Sequence, residues 1–283
     1  MEQKEKIKIV DLLEVYITNK GSQNKAAHSL KGVSSAIISQ LVNGNWESIS
    51  DDMFRKIGNQ IGYNSNSWQF VETTNASFLL ETLKKAKQQQ SVLTILAIAG
   101  SGKSETSKKY AKDNTDVIRI ECASYWDEKR FLQEILLKMG IKNPSNNINR
   151  MMEEIIKGIH SYDTPPEMIF DEVDKLGDRL LYFLITFYNE LKWKCSIVLL
   201  STYYFKKRLE DGFRNRKKGY EELISRFGTF IEFDQTSAED VKKLCEAQGV
   251  KDSSIIKAIA RKCNGDLRIA SELIRIYKLE NGI

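Results

Sequence analysis

The residues best suited to chemistry lie between Val92 and Ser104. An apolar run, Val92-Leu-Thr-Ile-Leu-Ala-Ile, passes into Ala99-Gly100-Ser101-Gly102-Lys103-Ser104, and a polar segment of helical character, Glu105 to Lys112, follows. That order predicts a buried strand, a glycine-rich turn and a helix N-terminus. Small residues let the backbone curl until successive N–H groups converge on an anion. The helix end adds unpaired donors and positive partial charge. Lys103 is expected to reach the β- and γ-phosphates of a bound ATP and the Ser104 hydroxyl to ligate Mg²⁺, with Ala99, Gly100, Ser101, Gly102 and Glu105 completing the cradle. Against the pattern G-x-x-x-x-G-K-[ST], Ala97 stands where the first glycine is expected, which costs stability wherever φ must be positive.

A second set of groups follows at Pro165-Pro-Glu-Met-Ile-Phe-Asp-Glu-Val-Asp174. A short apolar strand, interrupted by Glu167, carries Asp171 and Glu172 to its carboxyl end, where open α/β sheets bind ligands. Asp171 is assigned to Mg²⁺, and Glu172 to polarising the water that attacks the γ-phosphate. The strand Cys195 to Thr202 is expected to end beside these carboxylates, so that Thr202 or Ser201 touches the γ-phosphate or the water. Arg226, just before a last strand at Thr229 to Phe233, is placed to point at a neighbouring subunit's phosphate. Arg268 opens the last helix and is expected to reach the phosphates from a lid. Two basic runs, Lys206 to Arg208 and Arg214 to Lys218, read either as a solvated face or as a loop against phosphate.

The elements that must position these groups alternate. Helices are predicted over Ala76 to Gln89, Asp127 to Met139, Ile148 to Ile159 and Leu180 to Trp193, between the strands above and another at Asp116 to Cys122. That pattern predicts a parallel sheet with helices on both faces. Ser237-Ala-Glu-Asp240 is a capping box that opens a helix. Helices over Ser253 to Cys263 and Leu267 to Leu279 complete a small helical lid. The expected domains are therefore residues 1–66, 67–235 and 236–283, with the first boundary in the turn-rich stretch Gly62 to Ser67.

The first of these domains is all helical. Ile9, Leu12, Leu13, Tyr16 and Ile17 mark one helix, and Met53 to Ile61 marks another. Between them two short helices start at Ser22 and Ser34, and Asn43-Gly44 stops the second. This resembles a repressor-like helix-turn-helix, with a turn from Leu30 to Val33 that is one residue longer than usual. The resemblance implies a helix in the major groove, with Ser34, Ser35 and Ser39 near bases or phosphates and Lys25 on the backbone.

Bulk composition sets limits. At 283 residues, 41% of them hydrophobic and 29% charged, the chain suits two or three domains. A net charge of +5 allows an acidic partner without demanding one. The cysteines, Cys122, Cys195, Cys245 and Cys263, form no C-x-x-C and read as reduced thiols of a cytoplasmic protein. No apolar run reaches the roughly 18 residues of a membrane span.

Taken in order, Gly-Ser-Gly-Lys-Ser, Asp-Glu, a strand ending in Ser-Thr, Ser-Arg-Phe and Gly-Asp-Leu-Arg resemble the Walker A, Walker B, sensor 1, arginine finger and sensor 2 of AAA+ ATPases. The last two pieces are similar to the initiator and helicase-loader branch. With a helix-turn-helix in front, the chain is most similar to the transposition target-selection type, which is MuB-like and related to TnsC and IstB. The resemblance implies ATP and Mg²⁺ as cofactors, ATP hydrolysis, and an ATP-dependent helical oligomer on double-stranded DNA with little sequence preference. It also implies delivery of that DNA to a DDE transposase. The inner surface of such a filament would include Lys129, Arg130, Lys142, Asn143 and Arg150. A helicase loader or replication initiator, and a nucleotide-sensing transcription regulator, are the competing readings.

Overall fold

The computed structural model describes residue 1, residues 3–63 and residues 68–281. The chain forms two compact units, Met1–Gln69 and Phe70–Ile283. The boundary expected after residue 66 lies outside the described residues.

The first unit holds helices α1 (Gln3–Lys20), α2 (Gln23–Ser29), α3 (Ser35–Val42) and α4 (Asp51–Ile61). Serines start three of them: the hydroxyls of Ser22, Ser34 and Ser50 accept from the N–H groups of Lys25, Ile37 and Met53. Each satisfies one of the amides that a helix start leaves open. Ile9, Leu13, Ile38, Leu41, Phe54 and Ile57 meet in one fully buried core. Leu12, placed on the apolar stripe from sequence, is instead exposed, and Val10 takes an inward position. Both fit a helical period, and the packing of α2 to α4 decides between them. The turn between α2 and α3 uses Gly32 at φ +67°, a conformation closed to most side chains.

The second unit is a three-layer α/β structure. Strands β1 (Val92–Leu96), β2 (Val117–Glu121), β3 (Glu167–Asp171), β4 (Ser196–Ser201) and β5 (Phe230–Glu232) form one sheet in the order β2-β3-β4-β1-β5. All neighbouring pairs are parallel. The side-chain period of two sends alternate residues to opposite faces. Met168 and Phe170 join Ile197 and Leu199 under α7 (Glu128–Lys138), α8 (Ile148–His160) and α9 (Asp178–Leu191). Ile169, Val198 and Leu200 turn the other way, onto α5 (Thr74–Gln89) and α6 (Lys103–Asp113). Helices α10 (Tyr203–Arg214) and α11 (Tyr220–Phe227) link β4 to β5. The four cysteines are free and buried, and no helix among the described residues is long and apolar enough to cross a membrane.

Three helices, α12 (Ala238–Ala247), α13 (Ser253–Cys263) and α14 (Leu267–Glu280), pack on a core of their own that includes Val241, Leu244, Ile259 and Ile274. The capping box at Ser237 forms as expected, with the Ser237 hydroxyl accepting from the Asp240 amide at 3.1 Å. Asp240 is buried and does more. Its carboxylate accepts from the amide and hydroxyl of Thr74 at 2.9 and 3.1 Å, which ties the lid to the start of α5.

Glu167 reads in sequence as an interruption, yet it is the fully buried first residue of β3. Burial pushes its carboxyl up to about 8, against hydrogen bonds from Ser196 and Tyr110 that favour the charged form. The folded chain therefore holds a proton that the unfolded chain releases near its ordinary value of 4.5, and this group costs stability as pH rises from there to about 8. Glu167→Gln is expected to flatten that loss. Thermal unfolding at pH 6 and pH 9 checks it: the two Tm values of the variant should lie several degrees closer than those of the parent.

Candidate active site

Strand β1 delivers the backbone into the loop between Ala97 and Gly102. Two glycines bend it, Gly100 at φ +73° and Gly102 at φ +88°, and α6 begins at once with Lys103. Ala97 is not among the described residues with positive φ, so the missing glycine of the motif costs nothing here. Its carbonyl accepts from Lys103 Nζ at 2.8 Å, alongside Ile98 O at 3.0 Å and Ser101 Oγ at 3.3 Å. Lys103 is thus buried with its ammonium curled into the loop. Burial lowers its pKa to about 8, opposed by the charges of Asp171, Asp174 and Glu172 and reinforced by Arg268. An ammonium held this way gains when an anion enters.

The carboxylates stand where the sheet order predicts. Asp171 is in register with Leu200 of β4, and Ser201 of β4 with Leu96 of β1, so the three strand ends are neighbours. Asp171 is buried. Its Oδ1 accepts from the Glu172 amide at 3.0 Å, and its Oδ2 accepts from Arg119 at 2.5 Å. Glu172 sits at φ +57°, a strained position for a side-chain-bearing residue and one that recurs at functional sites. A single 3-10 turn, Val173–Lys175, follows it and brings Lys175 onto its carboxylate. Asp174 accepts from Ser201 Oγ at 2.8 Å and from Thr202 Oγ1 at 3.4 Å. Thr202 therefore lies beside the acidic strand as expected, tied to Asp174. Neither Asp174 nor Arg119 stands out in the sequence as a site residue. The bonds that bring them there, Asp174 to Ser201 and Arg119 to Asp171, span 27 and 52 residues, which no local pattern reports.

The lid reaches this site through its last helix. Leu267 N donates to Gly100 O at 2.8 Å. Asp266, which caps α14, rests on Gly100 so closely that an added Cβ would lie 2.0 Å from its Oδ1. Arg268 is the next residue after Leu267, exposed, with its charge felt by Lys103. Gly100→Ala is consequently expected to displace the lid, with a loss of about 1–3 kcal/mol and weakened ATP binding. A melt and an ATP titration read both. Gly177→Ala, in open space at a negative φ, is the control that should change neither.

A small hard cation fits the donors present. The Ser104 hydroxyl and the Asp171 carboxylate are oxygen ligands of the kind Mg²⁺ takes, and that ion keeps several of its waters.

An AAA-domain family profile matches residues 84–209. The ATP-dependent target DNA activator B of Escherichia phage Mu is 24% identical over 257 residues, covering 87% of this chain and 78% of its own length. The Mu-like prophage FluMu DNA transposition protein B of Haemophilus influenzae is 25% identical over 220 residues, with coverage of 75% and 73%. The chain carries an AAA-domain match over residues 84–209 and resembles MuB-type transposition proteins. Two solved structures share the fold. Cdc6p from Pyrobaculum aerophilum has a TM-score of 0.57 at 16% identity, covering 77% of this chain and 65% of that one. The Aeropyrum pernix Orc1 protein, solved in complex with DNA, has a TM-score of 0.55 at 18% identity, covering 75% and 61%. This chain thus spans less than two thirds of those two.

The remaining expected residues fall in separate places. Arg226 lies in the last turn of α11, where it bonds Asn189 Oδ1 at 3.1 Å and Glu222 at 3.3 Å and lies over the Tyr188 ring. None of these partners belongs to the phosphate loop. Three of the seven basic residues in the two runs find distant partners: Arg208 and Lys217 converge on Asp178, and Lys206 pairs with Glu232. Arg208 also donates to the carbonyls of Asp174 and Leu176 at 3.3 and 2.7 Å, which braces the turn after Glu172. Lys129 and Arg130 lie in the first turn of α7, Arg150 in that of α8, and Lys142 and Asn143 on the connection between these two helices. Arg130 pairs with Glu134 of its own helix. In the first unit Lys25 and Ser35 are exposed, Ser34 spends its hydroxyl on the α3 cap, and Ser39 accepts from Asn43.

Proposed function

We propose that this chain is an ATP-dependent DNA-binding ATPase of transposition target selection, which assembles on DNA and activates a DDE transposase. One observation carries the reading. A lysine-bearing phosphate loop, an Asp-Glu strand end and the start of the last helix lie together, with the Arg268 charge felt by Lys103, in a chain whose relatives are named ATP-dependent target DNA activators. Ala99 to Ser104 wrap the triphosphate with backbone N–H groups, Glu105 follows on α6, and Lys103 adds the charge. A magnesium ion on Ser104 and Asp171 neutralises β- and γ-phosphate charge when bound. Glu172 orients the attacking water, and Thr202, held by Asp174, lies beside it. Arg268 couples phosphate to the lid.

Arg226 acts on a neighbouring copy's nucleotide, so turnover requires assembly. DNA lies along Lys129, Arg130, Lys142, Asn143 and Arg150, which offer charge and amides to phosphates without reading bases. The α2–α3 pair, with Lys25, Ser34, Ser35 and Ser39, is a helix-turn-helix that adds contacts of its own. The segment from residue 236 works as a lid domain that follows the nucleotide state. Negative-stain imaging on long duplex DNA tests the reading. ATP and Mg²⁺ together should yield continuous coating, and ADP should not. Coating that is indifferent to nucleotide would remove ATP from the account.

A further inference from the structure

Arg119 occupies an unusual position. Val117, Arg119 and Glu121 alternate along β2 with the buried Ile118 and Ile120. Arg119 thus shares its face with α6, the helix that starts at the phosphate loop, and its side chain is only 10% exposed. All three nitrogens of the guanidinium are engaged: Nε donates to Ser107 Oγ at 2.8 Å, one terminal nitrogen to Glu121 at 3.1 Å, and the other to Asp171 Oδ2 at 2.5 Å. Ser107 Oγ in turn donates to the Ser104 carbonyl at 3.0 Å. One side chain therefore bridges the two residues assigned to the cation: Asp171 directly, and Ser104 through Ser107.

The charge balance explains why it is there. Asp171 is buried beside Glu172 and Asp174, and a buried carboxylate without a cation is costly. Lys103 donates to the loop's own carbonyls and hydroxyl, while Lys175 is on Glu172. Arg119 is the cation paired with Asp171 among the described residues, and an arginine stays charged at every working pH.

We propose that Arg119 is the resident counter-cation of Asp171, a positioning residue that sets how tightly the site takes a divalent metal. Its charge lets the fold form without metal and weakens the pull of Asp171 on an incoming ion. Its three-armed fork holds Asp171 and the start of α6 in register. The proposal rests on the nucleotide-site reading above, and binding of ADP without metal tests that reading separately.

The experiment uses the full chain saturated with ADP, with bound Mn²⁺ followed by electron paramagnetic resonance. Arg119→Met is expected to bind Mn²⁺ at least about tenfold tighter than the parent, since a unit positive charge has left the carboxylate. Arg119→Lys keeps the charge and loses the fork, so its Mn²⁺ affinity should stay within about twofold of the parent while its Tm falls. Should Arg119→Met fail to fold, Arg119→Gln, whose amide can still reach Ser107, carries the same expectation. Unchanged or weaker Mn²⁺ binding in a neutral variant that still binds ADP overturns the proposal, as does a Lys variant that follows Met. Failure of every form, parent included, to bind ADP would instead strike the nucleotide-site reading.

Discussion

Lys103→Ala loses ATP binding by at least about 100-fold, close to 3 kcal/mol, the upper range for a hydrogen bond to a charged group. The ammonium already lies inside the loop, so a bound phosphate finds it in place. Nucleotide-dependent assembly on DNA is expected to disappear with it, and equilibrium titration with a fluorescent ATP analogue reads the first loss. The same lysine predicts a pH dependence. Its pKa is about 8 in the folded chain against an ordinary 10.5. Between those values the unfolded chain binds more protons, so this group makes the nucleotide-free fold gain stability as pH rises through that window. ATP binding runs the other way, because triphosphate favours the charged ammonium. Affinity should fall as pH climbs from 8 to 9.5, and calorimetry at pH 8 in buffers of different ionisation enthalpy should show proton uptake on binding. Lys103→Ala should lose that uptake.

Glu172→Gln separates binding from turnover. Glu172 follows the buried Asp171 at a strained φ, and its side chain is about a quarter exposed, with Lys175 paired to one carboxylate oxygen. Removing a general base costs about 10²–10⁴ in rate. Phosphate release should fall by that factor while ATP affinity stays within about threefold of the parent. On the proposed reading hydrolysis disassembles the DNA-bound assembly, so the variant should hold such assemblies long after the parent has released them. A nucleotide-sensing regulator that does not hydrolyse ATP would be indifferent to this change.

The nucleotide site was legible because its parts are local. An apolar run, two glycines, a lysine and a polar helix start lie within a dozen or so positions, and each part has one physical job. The parallel sheet was legible for the same reason, in the alternation of short apolar runs with amphipathic segments. What sequence reading missed depends on pairs far apart in the chain. Arg119 looks like an outward-facing residue on an edge strand until β3 brings Asp171 beside it. Asp174 looks like one more acid at a helix start until Ser201 and Thr202 arrive from β4. The run Lys206 to Lys218 looked open because only Glu210 and Asp211 are near it in sequence; Asp178 and Glu232 supply partners from elsewhere. Glu167 looks like a break in a strand, and the fold instead buries it with a shifted carboxyl.

The central claim is that ATP held by this phosphate loop joins copies of the chain along DNA. Sedimentation velocity with plasmid DNA, Mg²⁺ and either ATP or ADP, with phosphate release recorded on the same samples, tests it most directly. The account predicts fast-sedimenting protein–DNA complexes with ATP alone, and DNA-stimulated phosphate release as they turn over. A chain that sediments as a monomer beside naked plasmid at saturating ATP, with phosphate at background, would contradict it.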